Sequence, residues 1–196
     1  MAEAARIGPV FKRLGQVLWI GTLAAGVISY VAAPHLFTAD SIAAFLLRFQ
    51  GLMWLIYIAF SILRGLTLLP STPLVIAGTL LFPGQQVAVL FVSIAGIVIS
   101  STMIYFFSEY FGFSDFFEQH KPELTHRIKA RLEHALGFLF VAAWAFFPLV
   151  PTDLVCYLAG TTKMNFWKFI IAVAVGEMVL CGFYIFLGGA VLDHMR

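Results

Sequence analysis

Charge is scarce in this chain: of 196 residues, 12 are Lys or Arg and 10 are Asp or Glu, so 11% is charged against 61% hydrophobic. A soluble domain carries roughly 25% charged residues. With a mean hydropathy of +0.95, the chain has too little polar surface to cover itself in water and reads as an all-α polytopic membrane protein. The net charge of +2 lacks the basic field that nucleic-acid binding needs. Cysteine is nearly absent as well. Cys156 and Cys181 lie inside apolar stretches, with no histidine at ligand spacing, which makes them packing residues and leaves no disulfide framework or metal site. His120, His126 and His134 are not spaced as metal ligands either and read as solvated. No P-loop, Gly-x-Ser-x-Gly elbow, HExxH or dinucleotide fingerprint occurs, so the chain is not read as an enzyme and no cofactor is expected.

What remains is apolar sequence with punctuation. An uncharged stretch runs from Leu14 to Ala39 behind Arg6, Lys12 and Arg13. Its apolar part, Leu14 to Ala33, is a full spanning length of about 20 residues and too long for a signal-peptide core, so it reads as a retained first helix. Asp40-Ser41 is expected to cap a second spanning helix reaching about Leu63. Between Arg64 and Glu109 lie 44 residues without a charge, more than twice what one crossing requires.

That run is divided by an element that occurs twice: Pro70-Ser71-Thr72-Pro73 leading into Ala77-Gly78-Thr79, and Pro148-Leu149-Val150-Pro151 leading into Ala159-Gly160-Thr161. Each double proline removes two backbone donors, which hydrocarbon tolerates only where protein or a water-filled cavity satisfies the freed groups. The eight residues between Pro73 and Phe82 make a helix of about 12 Å, short of a hydrocarbon core of about 30 Å. Such a segment dips in and returns. We therefore expect two re-entrant helical hairpins, at about 66–84 and 136–163, each followed by a true spanning helix, from about Gln85 to Phe107 and from Phe166 to about Ala190. In the first of these helices Gly96 and Ser100 are spaced for close helix contact.

The one substantial polar stretch, Ser108 to His134, carries a narrow apolar stripe and reads either as an interfacial helix or as a solvated connector. The expectation is one structural domain with about four crossings and two opposed hairpins in an inverted repeat, residues 1–63 supplying the first two helices and 64–192 the repeat. Basic residues number five on one side and six on the other, so the first helix is taken to set the orientation, with both termini inside.

Half-helix amino termini near the bilayer midplane attract anions, and a lipid head has a phosphate to offer. The candidate translocation residues are accordingly Pro70, Thr72, Pro73 and Gly78 in the first copy, with Pro148, Pro151, Thr152, Asp153 and Gly160 in the second. Thr72 is expected to cap the first short helix, and Thr152 or Asp153 the second. Glu177, near the middle of the last helix, is either a proton-titrating or head-group-contacting carboxyl or a structural hydrogen-bonding group. Arg64 either pairs with lipid phosphate or snorkels to the interface.

The stretch from about Arg64 to Leu192 resembles the DedA superfamily, also called the VTT or SNARE-associated Golgi protein domain. The matching residues are Leu69-Pro70-Ser71-Thr72-Pro73, Ala77-Gly78, Leu81-Phe82-Pro83-Gly84, Phe147-Pro148-Leu149-Val150-Pro151, Tyr157-Leu158-Ala159-Gly160-Thr161 and the late Gly176. The resemblance implies two opposed re-entrant hairpins and a transporter or scramblase of lipids. Where many members carry arginines around the second-hairpin proline, Ala145 and Pro151 stand, and Thr72 is nearest to the acidic position of the first hairpin. The expected partners are membrane lipids, with protons or ions as coupling species and the chain alone or as a homo-oligomer. The short polar loops suit a bacterial cytoplasmic membrane. Three readings stay open: a lipid translocase, an ion-coupled exporter of a small solute that uses Glu177 and Asp153, and a scaffold whose hairpins merely pack.

Overall fold

A computed structural model describes residues 9–110, 122–148 and 150–188. Among them the secondary structure is helical throughout. Residues 1–8 with Arg6, the part of the polar stretch at 111–121 including His120, residue 149, and the tail with His194 and Arg196 lie outside the described residues.

Helix α1, Pro9–Ala32, contains the expected first span and presents much of its apolar surface outward, with Val17 and Val31 67% and 73% exposed. It docks inward through Trp19, whose ring meets Phe107 edge-on at 5.0 Å, and through Gly26, where a Cβ would strike Thr67. A 3₁₀ turn, Pro34–Phe37, leads to α2, Ala39–Leu46, which Thr38 caps by accepting from the Ser41 amide. Here the structure departs from the sequence expectation. The single helix anticipated from Asp40 to Leu63 is two, α2 and α3 (Met53–Leu63), separated by a turn in which Gly51 takes φ +83°. A left-handed residue ends a helix, and glycine adopts it without a Cβ clash. In place of four spanning helices, three among the described residues are long and apolar enough to cross a membrane: Leu14–Ala32, Gln86–Ser108 and Phe166–Leu187.

After α3, a 3₁₀ turn at Arg64–Thr67 and left-handed Leu68 (φ +57°) bring the chain to the first double proline. Helix α4, Ser71–Leu81, follows, then the turn at Gly84 (φ +78°) and the long α5, Gln86–Tyr110. The second half repeats this order. Helix α6, Pro122–Glu133, leads to α7, Ala135–Phe146; the second double proline precedes α8, Thr152–Thr161, and the last helix, α9, Phe166–Gly182, continues as a π-helical turn, Phe183–Leu187.

The repeat extends to packing. In each half the helix before the prolines lies on the long helix after them, α3 on α5 and α7 on α9. Both crossings use small residues. A Cβ at Gly96 would lie 2.5 Å from that of Ser61, and one at Gly65 would lie 2.6 Å from that of Ser100, so the expected Gly96/Ser100 pair is the surface on which α3 and the 3₁₀ turn after it sit. Gly176 plays the matching part on α9 against Ala142 and Ala145 of α7. The short helices cross between halves, α8 packing on α5 and α4 on the π-helical turn that ends α9.

Polar side chains tie these contacts together. Tyr57 and Ser93 hydroxyls are 2.9 Å apart between α3 and α5, and Tyr105 donates to the Met164 carbonyl at 2.5 Å. Helix α8 ends in a Schellman arrangement, with Lys163 left-handed (φ +53°) and the amides of Lys163 and Met164 returning to the carbonyls of Gly160 and Ala159. Lys168 closes the α6–α7 corner, its Nζ donating to the carbonyls of Leu132, Glu133 and His134 at 3.1, 3.0 and 2.6 Å. An ammonium on the last carbonyls of a helix satisfies acceptors and opposes the negative dipole end. Lys168→Met is expected to lower stability by about 1.5–3 kcal/mol, and Lys168→Arg by less, measured as the unfolding midpoint of the purified protein in detergent.

Candidate functional site

The two double-proline segments, far apart in sequence, line one cavity of about 130 Å³. Pro70, Ser71 and Thr72 stand on one side of its lining and Pro148, Pro151 and Thr152 on the other, with Tyr30 and Leu180 completing it. Each segment reaches it by the same local device. Pro70 (φ −57°, ψ +140°) and Pro151 (φ −58°, ψ +123°) hold an extended conformation, and the short helix starts at the next residue. The capping expectation is corrected here. Neither Thr72 nor Thr152 nor Asp153 is an N-cap, because the proline takes that position and neither helix has a side-chain cap. Pro73 is the third residue of α4, so its missing N–H falls among the amides that have no helical acceptor in any case. Trp144 of α7 steadies the second segment, its indole Nε1–H donating to the Pro151 carbonyl at 3.4 Å.

With no cap to make, Thr152 turns to the last helix. Its hydroxyl donates to Glu177 Oε1 at 2.5 Å, and the Cys181 thiol lies 3.7 Å from Glu177 Oε2. Glu177 is fully buried, so a neutral hydroxyl and thiol are what replace water around its carboxyl. Asp153, 1% exposed, faces Arg64, 7% exposed, with Nη1 to Oδ2 3.7 Å. That separation makes an ion pair longer than a hydrogen bond. Arg64 Nη1 also donates to the Leu69 carbonyl at 3.2 Å, while its Nη2 and both Asp153 oxygens are buried without a hydrogen-bond partner. A void of about 10 Å³ bordered by Arg64, Ser61, Ser71 and Ser93 has room for at most one water.

The structure thus brings together Pro70, Thr72, Pro148, Pro151 and Thr152 around the cavity, with Glu177 bonded to Thr152 and Asp153 paired with Arg64, which lines a second, larger cavity. Arg64 does not snorkel; it turns inward, because Asp153 and the Leu69 carbonyl offer it partners. Pro73 lines this larger cavity, between α2 and the start of α4. Gly78 and Gly160 lie away from both. A Cβ at Gly78 would meet Tyr57 Oη at 2.5 Å, and one at Gly160 would strike Ser108 and the Tyr105 carbonyl, so each serves a close helix approach. Ser71 and Tyr30 line the cavity without having been singled out in the sequence. Ser71 sits inside the double proline and was open to notice there, whereas nothing in the sequence near Tyr30 marks it.

The family model for the VTT domain matches residues 69–190, more than half of the chain, and spans both double prolines and the last helix. No curated protein and no solved structure matches. Three helices of spanning length and apolar composition, joined to this match, make the chain an integral membrane protein that belongs to the VTT-domain family, the DedA/SNARE-associated group.

Proposed function

We propose that the protein is a lipid translocase in which the two short proline-led arms are re-entrant, come from opposite faces and meet near the midplane, where the cavity between them admits a phospholipid or polyprenyl-phosphate head group. The observation that carries this reading is the single cavity lined by both double prolines. Broken helices in hydrocarbon persist where they line such a space, and a scaffold would have had no reason to leave it unfilled. Residues Pro70, Thr72, Pro148, Pro151 and Thr152 form the passage in this proposal; Arg64, Asp153 and Glu177 set its electrostatics. The membrane is taken as a bacterial cytoplasmic membrane with both termini inside.

Reconstituted liposomes test it. Purified protein is expected to expose inner-leaflet labelled lipid to an external quencher, so that quenching passes well beyond the half expected of a static bilayer. No movement of any labelled lipid under any ion gradient would sink the reading. A second reading, ion-coupled export of a small solute, draws on the Thr152–Glu177 bond, which holds a carboxyl beside the passage. Under it, Glu177→Gln abolishes the pH dependence of transport; transport indifferent to both pH and this substitution would remove it.

A further inference from the structure

The larger cavity, about 560 Å³, lies between α2 and the start of α4. Its volume is within the range of ligand sites, roughly 300–1,000 Å³. One side is formed by α2 and the 3₁₀ turn before it, the other by Arg64 and the start of the first proline arm. Phe45 of α2 and Phe60 of α3 both line it, their rings 5.8 Å apart. The α2 side precedes residue 69 and therefore falls outside the VTT-domain match.

This wall is largely carbon, yet it holds two arginines, Arg48 in the turn after α2 and Arg64 at the start of the next 3₁₀ turn, and no acidic residue is among its described lining. Arg48 is exposed, so it carries a free charge at low cost. Arg64 is buried, with Nη2 lacking any hydrogen-bond partner. A guanidinium has five donors in a planar fork suited to phosphate oxygens, and Asp153 at 3.7 Å occupies only one edge of it. Apolar length together with two cations complements an amphiphile that has an anionic head. Neither an ion without a chain nor a neutral hydrocarbon would use both features.

We propose that this groove docks one membrane lipid with an anionic phosphodiester head, its phosphate held by Arg48 and Arg64 and an acyl chain laid along Phe45 and Phe60. Pro70 lines both this groove and the double-proline cavity, so the docked lipid stands next to the proposed passage. The onward step rests on the translocase reading; the docking itself does not.

The test uses the full chain in detergent, with retained lipid counted by native mass spectrometry after titration with phosphatidylglycerol or phosphatidylcholine. One phosphatidylglycerol per chain is expected to be held at about tenfold lower concentration than phosphatidylcholine, because both present a phosphate to Arg48 and Arg64 but only the second brings a choline cation against those two positive charges. Arg48→Gln, a change at an exposed turn that leaves the fold intact, is expected to remove most of that preference. Ala44→Trp, which puts a ring into the groove from α2, is expected to abolish retention. Excess inorganic phosphate is expected to displace nothing. Equal retention of the two lipids, retention unchanged in Arg48→Gln, or displacement by inorganic phosphate overturns the proposal. The liposome assay separates this from the function. If Ala44→Trp loses the lipid while the wild type moves none between leaflets, docking stands and translocation falls; if Ala44→Trp loses the lipid yet moves lipid at the wild-type rate, docking and translocation both stand and the onward step from groove to passage falls.

Discussion

Arg64→Met is expected to destabilise the protein by about 3–5 kcal/mol, and Asp153→Leu by a similar amount, while the double variant recovers most of the loss. The reason is the burial of both groups, 7% and 1% exposed, which leaves the survivor largely desolvated. A buried charge without its counter-charge keeps its desolvation penalty and loses the Coulomb attraction that offset it. Removing both removes the penalty too. The pair is 3.7 Å apart and both carboxylate oxygens lack hydrogen bonds, so its geometry is poor and its net contribution against an apolar pair is small. Unfolding midpoints of the four proteins in one detergent form a double-mutant cycle, and a coupling energy below about 0.5 kcal/mol would show that the two groups act independently. The double variant has a second use. If it is folded and stable but moves no lipid, the pair is retained for transport and not for stability.

That pairing was the part of the site least visible in the sequence. Arg64 and Asp153 are separated by almost half the chain, and each had a local explanation, snorkelling for one and helix capping for the other. Capping fails because Pro151 takes the capping position and frees the following side chains to reach across the fold, Thr152 to Glu177 and Asp153 to Arg64; snorkelling fails because Asp153 and the Leu69 carbonyl then give Arg64 partners inside. By contrast, the breaks themselves were legible, because proline's missing donor and fixed φ act locally. The long helices were legible from length and hydropathy alone. The split between α2 and α3 was not. It depends on Gly51 at φ +83°, and a lone glycine beside Arg48 and Gln50 within a helical pattern does not declare a turn.

Gly176→Val is expected to be the most damaging single change on the last helix, lowering stability by about 3 kcal/mol or more and ending transport with it. Even the first added carbon has no room. A Cβ there would strike the Ala142 carbonyl and lie 2.8 Å from the Ala145 Cβ and 3.1 Å from the Phe146 amide nitrogen. These are backbone atoms and a methyl stub, which cannot rotate aside, so α7 must move away from α9. Helix α7 ends at Phe146 and runs straight into Phe147 and Pro148, which line the double-proline cavity, so its displacement reshapes that cavity. Ala145→Gly is expected to rescue only in part, because the Ala142 and Phe146 contacts remain. Gly182→Ala supplies the contrast. Nothing lies within 4 Å of a Cβ at that position, and α9 is helical there, so the change is expected to stabilise by about 0.5–1 kcal/mol. Melting midpoints and liposome transport are read on all four proteins. If Gly176→Val melts with the wild type, α7 and α9 do not pack through this glycine, and the small-residue crossing that the two halves share fails in its second copy.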